Sequence, residues 1–309
     1  MKNEHIFYLM SGPAHLPYLV TSLCTLANWV QDRKVTVFAW PESIFYVDRI
    51  VEEFSDRMTI RSSPREPQYR GKNAQFLDKI RIAKSKSLFP DGTDKVMYLD
   101  ADTTIHGDLS PLFAKLEDGN TFVATQFNDW ASNTKGIQAR VDRLKEYDFI
   151  DPNYISTLME HSWPSVNGGV WCCHQWSNVL NTWEDWTSRT LDMFICDEVC
   201  LHAVMVHHAC MGDFGVAREA GRWNSSPKHK VLISSDISIM HYHGDSNVRP
   251  EHWKGTRPPK AKCQFGFDFW WPIWQECLAY DYGNISQWYK DVQSDPKKRN
   301  HFLHTIETT

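Results

Sequence analysis

The stretch Val96-Met97-Tyr98-Leu99-Asp100-Ala101-Asp102 constrains this chain more than any other. Four consecutive apolar residues read as a short strand buried on both faces, the kind found in the middle of a parallel sheet. The chain then leaves the sheet through two aspartates separated by one small residue. Open α/β sheets bind ligands just outside the carboxyl ends of their strands. Strand side chains alternate faces, so Asp100 and Asp102 are expected to point the same way. Two carboxylates held together repel unless a cation sits between them. Their hard oxygen atoms suit Mg2+ or Mn2+, and Ala101 leaves the backbone open to a ligand.

The sequence before this motif reads as the start of an α/β fold. An apolar run at residues 6–10 is a strand, ended by Ser11-Gly12-Pro13. Leu16, Leu19, Val20, Leu23, Leu26, Ala27 and Val30 then fall on one face at helical spacing. Residues 34–40 form a second strand, closed by Pro41, which completes a β-α-β unit. A third strand is expected at 58–61, a helix at 76–88 and the central strand at 95–99. Further strands are expected at 121–126, 169–173 and 237–243, with helices at 176–191 and 199–211. Residues 265–289 are rich in aromatic side chains and read as helices on the outside of the domain. The whole chain, 1–309, is read as one α/β domain with a mostly parallel central sheet flanked by helices. Its nucleotide-binding half covers 1–115, its acceptor and donor-sugar half 116–255, and a C-terminal helical extension 256–309.

Composition excludes several classes. Hydrophobic residues make up 42% and charged residues 23%, ordinary for a soluble globular protein. The net charge of −5 leaves no global basic footprint for nucleic acid, and the short basic stretches at 254–262 and 297–299 read as solvated surface. None of the eight cysteines forms a C-x-x-C pair, which argues against a zinc ribbon. They are read as reduced core residues of a cytoplasmic protein. No apolar run approaches the length of a membrane-spanning helix. The 14 tryptophans could stack on sugar faces, but most are expected to fill the core.

The motif and the text after it, Gly107-Asp108-Leu109 through Leu112-Phe113, resemble the D-x-D block of GT-A glycosyltransferases, family 8 most closely. The resemblance implies a Rossmann-like GT-A fold and a metal bound by Asp100 and Asp102 together with the ribose or diphosphate of a nucleotide sugar. Other blocks follow in the family's order. Phe76-Leu77-Asp78-Lys79-Ile80-Arg81 resembles the basic position before the D-x-D strand, with Lys79 as the donor contact and Arg81 as its alternate. Asn167, Gly168 and Gly169 resemble the family's Asn-Gly turn, where Asn167 would hydrogen-bond the transferred sugar and the glycines admit the ligand close to the backbone. Asp197 and Glu198 stand where the family has Asp-Gln. That places Asp197 beside the anomeric carbon or the acceptor, while Glu198 departs from the pattern. His241 keeps an H-x-x-G spacing to Gly244 and so takes the place of the family's metal-ligand histidine, with His243 as a rival on the same strand face. Arg249-Pro250 comes two residues later than the family's Lys-Pro, and Arg249 is the loose match to its diphosphate cation. Ser11 and Gly12 end the first strand, where the family binds the base. An imidazole beside two carboxylates favours Mn2+ over Mg2+.

The implied activity is transfer of a hexose from UDP-glucose or UDP-galactose, with retention of anomeric configuration, to a glycan, lipid-linked sugar, protein or modified nucleobase. Under inversion, Asp197 or Glu198 would be the general base. Two alternatives remain at this level. Asp100-Ala101-Asp102-Thr103-Thr104 also fits the motif of haloacid-dehalogenase-like phosphohydrolases, which usually carry it near the chain start. A non-catalytic protein that binds nucleotide sugars would share the same residues.

Overall fold

Side-chain alternation along the first strand sets up two cores. In β1 (Glu4–Met10), Ile6, Tyr8 and Met10 face one side of the sheet and Phe7 and Leu9 the other, and all five are buried. A strand buried on both faces needs covering layers on both sides. The computed structural model supplies them. It describes residues 3–30, 32–71, 73–129, 141–160, 163–193, 195–226, 236–242, 264–287 and 290.

The central sheet has seven strands in the order β3-β2-β1-β4-β7-β6-β8, made of β1, β2 (Lys34–Ala39), β3 (Thr59–Pro64), β4 (Lys95–Leu99), β6 (Phe122–Asp129), β7 (Pro164–His174) and β8 (Phe214–Ala217). Four of the neighbouring pairs are parallel, and β7 runs antiparallel to both β4 and β6. The order reverses between β1 and β4, which creates a crevice at their carboxyl ends. A separate antiparallel pair, β5 (Thr103–Ile105) with β9 (Ile239–His241), stands just past the end of β4. One face is covered by α1 (Leu16–Leu26), α2 (Pro41–Phe54) and the helix Gln264–Tyr280. The other is covered by α3 (Ala74–Lys84) and the helices Asn178–Ser188 and Cys196–Ala209.

Several expectations shift for identifiable reasons. Pro41 does not merely close β2. It opens α2, because its ring presets the first helical turn and the N–H it lacks would have no helical partner there. The helix expected to reach Val30 ends at Leu26. The one expected at 76–88 is α3 followed, after an extended Ser85, by a 3-10 turn at Lys86–Leu88. Asn167-Gly168-Gly169 is no turn and lies inside the eleven-residue β7. There the β6–β7 register jumps from Ala124↔Trp171 to Thr125↔Asn167, so residues 168–170 bulge out of that ladder.

The tryptophans mostly fill core. Trp171 is fully buried and stacks on Tyr98 and Phe122 with centroids 5.5 Å away in each case. Trp270 and Trp274 stack at 5.4 Å, and Trp270 donates to Thr21 Oγ1 at 3.1 Å, which ties the aromatic C-terminal helix to α1. Trp29 and Trp176 are exposed. Six cysteines are buried thiols, whereas Cys210 is exposed at a helix end; Cys263 lies outside the described residues. Among the described residues, no helix is long and apolar enough to cross a membrane.

Two buried histidines make the fold sensitive to acid. His202 donates from Nδ1 to the Glu198 carbonyl at 2.7 Å and accepts at Nε2 from Val166 N at 3.3 Å, a pattern that requires the neutral ring. Burial lowers its pKa to about 4. Burial, with Arg61 and Lys34 nearby, lowers His5 to about 3. The unfolded chain takes up these protons near the ordinary histidine value and the native state does not. Their stability contribution is therefore full above about pH 6.5 and is lost as pH falls toward 4. The expected slope is up to about 1.4 kcal/mol per pH unit for each ring. Denaturant unfolding at pH 7 and pH 4.5 should show this loss, and His202→Gln should make the dependence shallower.

Candidate active site

Backbone pairing brings the acidic motif to the crevice. Leu99 pairs with Val170, and Asp100 N donates to Gly169 O at 2.7 Å as a last rung. Asp100 to Asp102 then form a turn between β4 and β5, closed by Thr103 Oγ1 donating to Asp100 O at 2.8 Å. The two carboxylates share a side because of this turn and not because of strand alternation. Across the small sheet Thr103 pairs with His241, and Tyr242 N donates to Asp102 O at 2.8 Å. His241 Nε2 lies 3.2 Å from Asp102 Oδ1 and 3.6 Å from Asp100 Oδ2. One ligand atom from each of the three residues falls within 4.8 Å of the others. The imidazole is fully buried and the two carboxylates are part-exposed, so the cluster faces the crevice.

The charges in this cluster are tightly balanced. Burial pushes the Asp100 carboxyl up; Lys79 opposes this and the Asp102 charge adds to it. Tyr98 Oη donates to Asp100 Oδ1 at 2.6 Å, and burial with the Asp100 charge holds that phenol well above its ordinary range. Burial pulls His241 down, but Asp102 and Asp100 outweigh it and raise it. Two carboxylate oxygens and one imidazole nitrogen are the donors a divalent cation of borderline hardness accepts, and Asp100, Asp102 and His241 fit such an ion.

The bulge in β7 supplies the floor. A Cβ on Gly169 would overlap the Asp100 carboxylate and lie 2.5 Å from His241 Cε1. A Cβ on Gly168 would come within 2.6 Å of Asp197 Oδ2 and 3.1 Å of Lys79 Nζ. Glycine is needed at both places for close approach. Asn167 Oδ1 accepts from Gly169 N at 2.7 Å, and its Nδ2 donates to Glu198 Oε2 at 2.7 Å.

Lys79, Asp197 and Glu198 form a second cluster beside the first. Lys79 Nζ lies 2.6 Å from Asp197 Oδ2 and 2.7 Å from Gly168 O, with both side chains only 4% exposed. Burial pulls the lysine down, yet Asp197 and Asp100 hold it above its usual value. Asp197 and Glu198 occupy the first turn of the helix Cys196–Ala209, where the helix dipole favours negative charge. Asp197 is buried and paired with Lys79, whereas Glu198 is only partly buried. Burial and the Asp197 charge raise Glu198 to about 7.

The other expected residues are spread more widely. Arg81 turns away to Glu184 at 2.8 Å on the helix Asn178–Ser188. Ala101 sits in the turn between the two aspartates. Ser11 and Gly12 end β1, whose Phe7 pairs with Tyr98, so they flank the carboxyl end of β4. His243, Gly244 and Arg249 lie outside the described residues. Asn224, fully buried against His241 and Asn167, belongs to no motif that the sequence displays. Tyr98 lies within the strand before Asp100, and its contact through the hydroxyl to that carboxylate leaves no mark in the sequence.

Truncating Lys79 would leave Asp197 charged and buried without its cation. Lys79→Met should cost about 3–5 kcal/mol, the range for breaking a buried pair on one side. The double change Lys79→Met with Asp197→Leu should recover most of that loss. Denaturant unfolding of the three proteins checks both expectations.

No protein-family model matches the chain, and no curated protein matches it in sequence. Solved structures do match in fold. The galactosyltransferase LgtC, solved with donor and acceptor sugar analogs, superposes with a TM-score of 0.60 at 15% identity, over 88% of this chain and 95% of that one. Mouse xyloside xylosyltransferase 1 gives 0.52 at 10% identity, over 78% and 98%. The glycosyltransferase GlyE of Streptococcus pneumoniae TIGR4 gives 0.51 at 14% identity, over 91% and 63%. Agreement over most of the chain establishes the architecture, which is the α/β fold of the GT-A glycosyltransferases.

Proposed function

We propose that this chain is a metal-dependent glycosyltransferase that moves a hexose from UDP-glucose or UDP-galactose to an acceptor, with retention of configuration. One observation carries the reading. Asp100, Asp102 and His241 converge from two sheets onto the crevice at the switch point of a GT-A fold. The sugar-transferring fold neighbours support it, LgtC with donor and acceptor analogs among them. Bound at these three residues, Mn2+ would supply Lewis-acid neutralisation of the charge that gathers on a leaving diphosphate. The donor set of two oxygens and one nitrogen favours Mn2+ over Mg2+.

The chain's own side chains divide the remaining work. Gly168 and Gly169 let Lys79, Asp197, Asp100 and His241 pack against the β7 backbone beside the donor, and Ala101 keeps the turn between the two aspartates small. Ser11 and Gly12 receive the base at the end of β1. Lys79 spends its charge on Asp197, so in this reading it organises the site and the second diphosphate cation is Arg249. Glu198, steadied by Asn167, is the carboxylate that faces the transferred sugar and stabilises positive charge at its anomeric carbon. The acceptor occupies the half built from residues 116–255. Buried thiols fit a cytoplasmic location.

The GT-A architecture removes the fold basis for the phosphohydrolase alternative. A non-catalytic binding protein is separated by experiment. UDP should raise the melting temperature only with Mn2+ or Mg2+ present, and equal stabilisation in excess EDTA overturns the metal site. UDP release from UDP-glucose or UDP-galactose should be lost in Asp100→Asn and Asp102→Asn while both variants stay folded. Binding without any release would mark a non-catalytic protein.

Glu198 gives a pH signature. Burial and the Asp197 charge, opposed by Lys79, Asn167 and His241, raise its midpoint to about 7, and the charged form exists above it. The rate kcat/KM should therefore rise through about pH 7, and Glu198→Gln should flatten that limb.

A further inference from the structure

Asn224 touches both halves of the site, and the direction of each hydrogen bond around it follows from backbone groups. A carbonyl can only accept, so Thr125 Oγ1 directs its one proton to Val170 O, 2.8 Å away. Thr125 Oγ1 must then accept from Asn224, which places the Asn224 Nδ2 amide on that side at 2.9 Å. A backbone N–H can only donate, so the Asn167 atom facing Gly169 N at 2.7 Å is Oδ1. That oxygen also lies 3.5 Å from Asn224 Nδ2, a longer contact of the same polarity. With the amide nitrogen oriented this way, Asn224 Oδ1 is the atom that meets His241 Nδ1, at 3.0 Å. An amide oxygen cannot donate, so the proton is on Nδ1. The Nε2 lone pair of the neutral ring then points toward Asp100 and Asp102.

We propose that Asn224 is a positioning residue for the reaction. Its carbonyl holds His241 in the tautomer whose Nε2 can bind a divalent cation. Its amide group, anchored on Thr125 Oγ1, also reaches Asn167 Oδ1 and steadies the asparagine that grips Glu198. One buried side chain therefore orients both the metal histidine and the carboxylate on the sugar side. The inference rests on the reading of Asp100, Asp102 and His241 as a metal site.

Two substitutions separate the two ends of Asn224. Asn224→Leu removes both the acceptor and the donors. Asn224→Asp keeps an acceptor for Nδ1–H but cannot donate to Thr125 or Asn167, and a carboxylate behind a ligating histidine is a common supporting partner. Titration calorimetry with MnCl2 on the full chain should show Asn224→Leu binding Mn2+ on the order of 10–100-fold more weakly than wild type. Asn224→Asp should bind at least as tightly as wild type and still lose kcat in UDP release. A role confined to packing would weaken both variants alike and leave the split absent. Imidazole 1H–15N correlation spectra of the metal-free wild type, at a pH where His241 is neutral, supply a readout that needs no variant. They should show the proton on Nδ1, and a proton on Nε2 overturns the proposal. Wild-type Mn2+ affinity retained in Asn224→Leu overturns the role of Asn224 alone. Absence of Mn2+ binding in the wild type overturns the metal site and this inference with it.

Discussion

Two like charges at the end of a buried strand are the constraint that the rest of the site answers. Asp100 and Asp102 are part-exposed and would repel each other in isolation. The structure meets that charge from three directions. Tyr98 donates along the strand, His241 approaches across the small sheet, and Lys79 adds a field from α3. These contacts hold the pair without covering it, since both carboxylates stay part-exposed. The neighbouring Asp197 and Glu198 repeat the problem one layer further in. There the burden is split, because Lys79 neutralises the deeper carboxylate and leaves the shallower one to the cleft.

The bulge in β7 is what lets so many polar groups meet in one place. A regular strand would carry side chains at residues 168 and 169, and those would strike Asp197 on one side and Asp100 and His241 on the other. Removing both Cβ atoms and displacing the ladder brings backbone where side chains would otherwise stand. The cost is a weakened strand interior. It is offset by Trp171, which stacks between Tyr98 and Phe122 and donates to Gly168 O at 3.0 Å. Packing and polarity are thus joined at a single residue step, with the core beginning at Val170 and the site ending at Gly169.

The polar network around Asn224 shows how the backbone sets proton positions far from itself. Neither a hydroxyl nor a side-chain amide has a fixed polarity alone. Each acquires one here because a chain of contacts begins at a carbonyl and an N–H that cannot reverse. A buried network with every direction determined is rigid, which suits a site that has to present a lone pair and a carboxylate in fixed relation.

Much of this was legible in the sequence, and the reason is local. The period-2 alternation of β1, the helical spacing of α1 and the four apolar residues before Asp100 are dictated by burial on a sheet, so they announce the α/β class directly. Asp100, Asp102, Asn167 and His241 stood out because their neighbours in the chain carry the pattern. What the sequence did not show depends on groups far apart along it. Lys79 looked like a donor contact, and nothing near it in the chain announced its ion pair with Asp197, 118 positions later. Asn167-Gly168 looked like a turn, because the dipeptide is compatible with one, and only the jump in register against β6 reveals a bulge. Asn224 carries no local mark, since a lone asparagine in a loop is ordinary. The sequence by itself determined the α/β sheet, its covering layers and the acidic motif at the end of its central strand, because each follows from the hydrophobicity of consecutive residues. Only the tertiary structure decided which charge neutralises which and where the histidine carries its proton, because hydrogen bonds and ion pairs depend on distances that chain order does not contain.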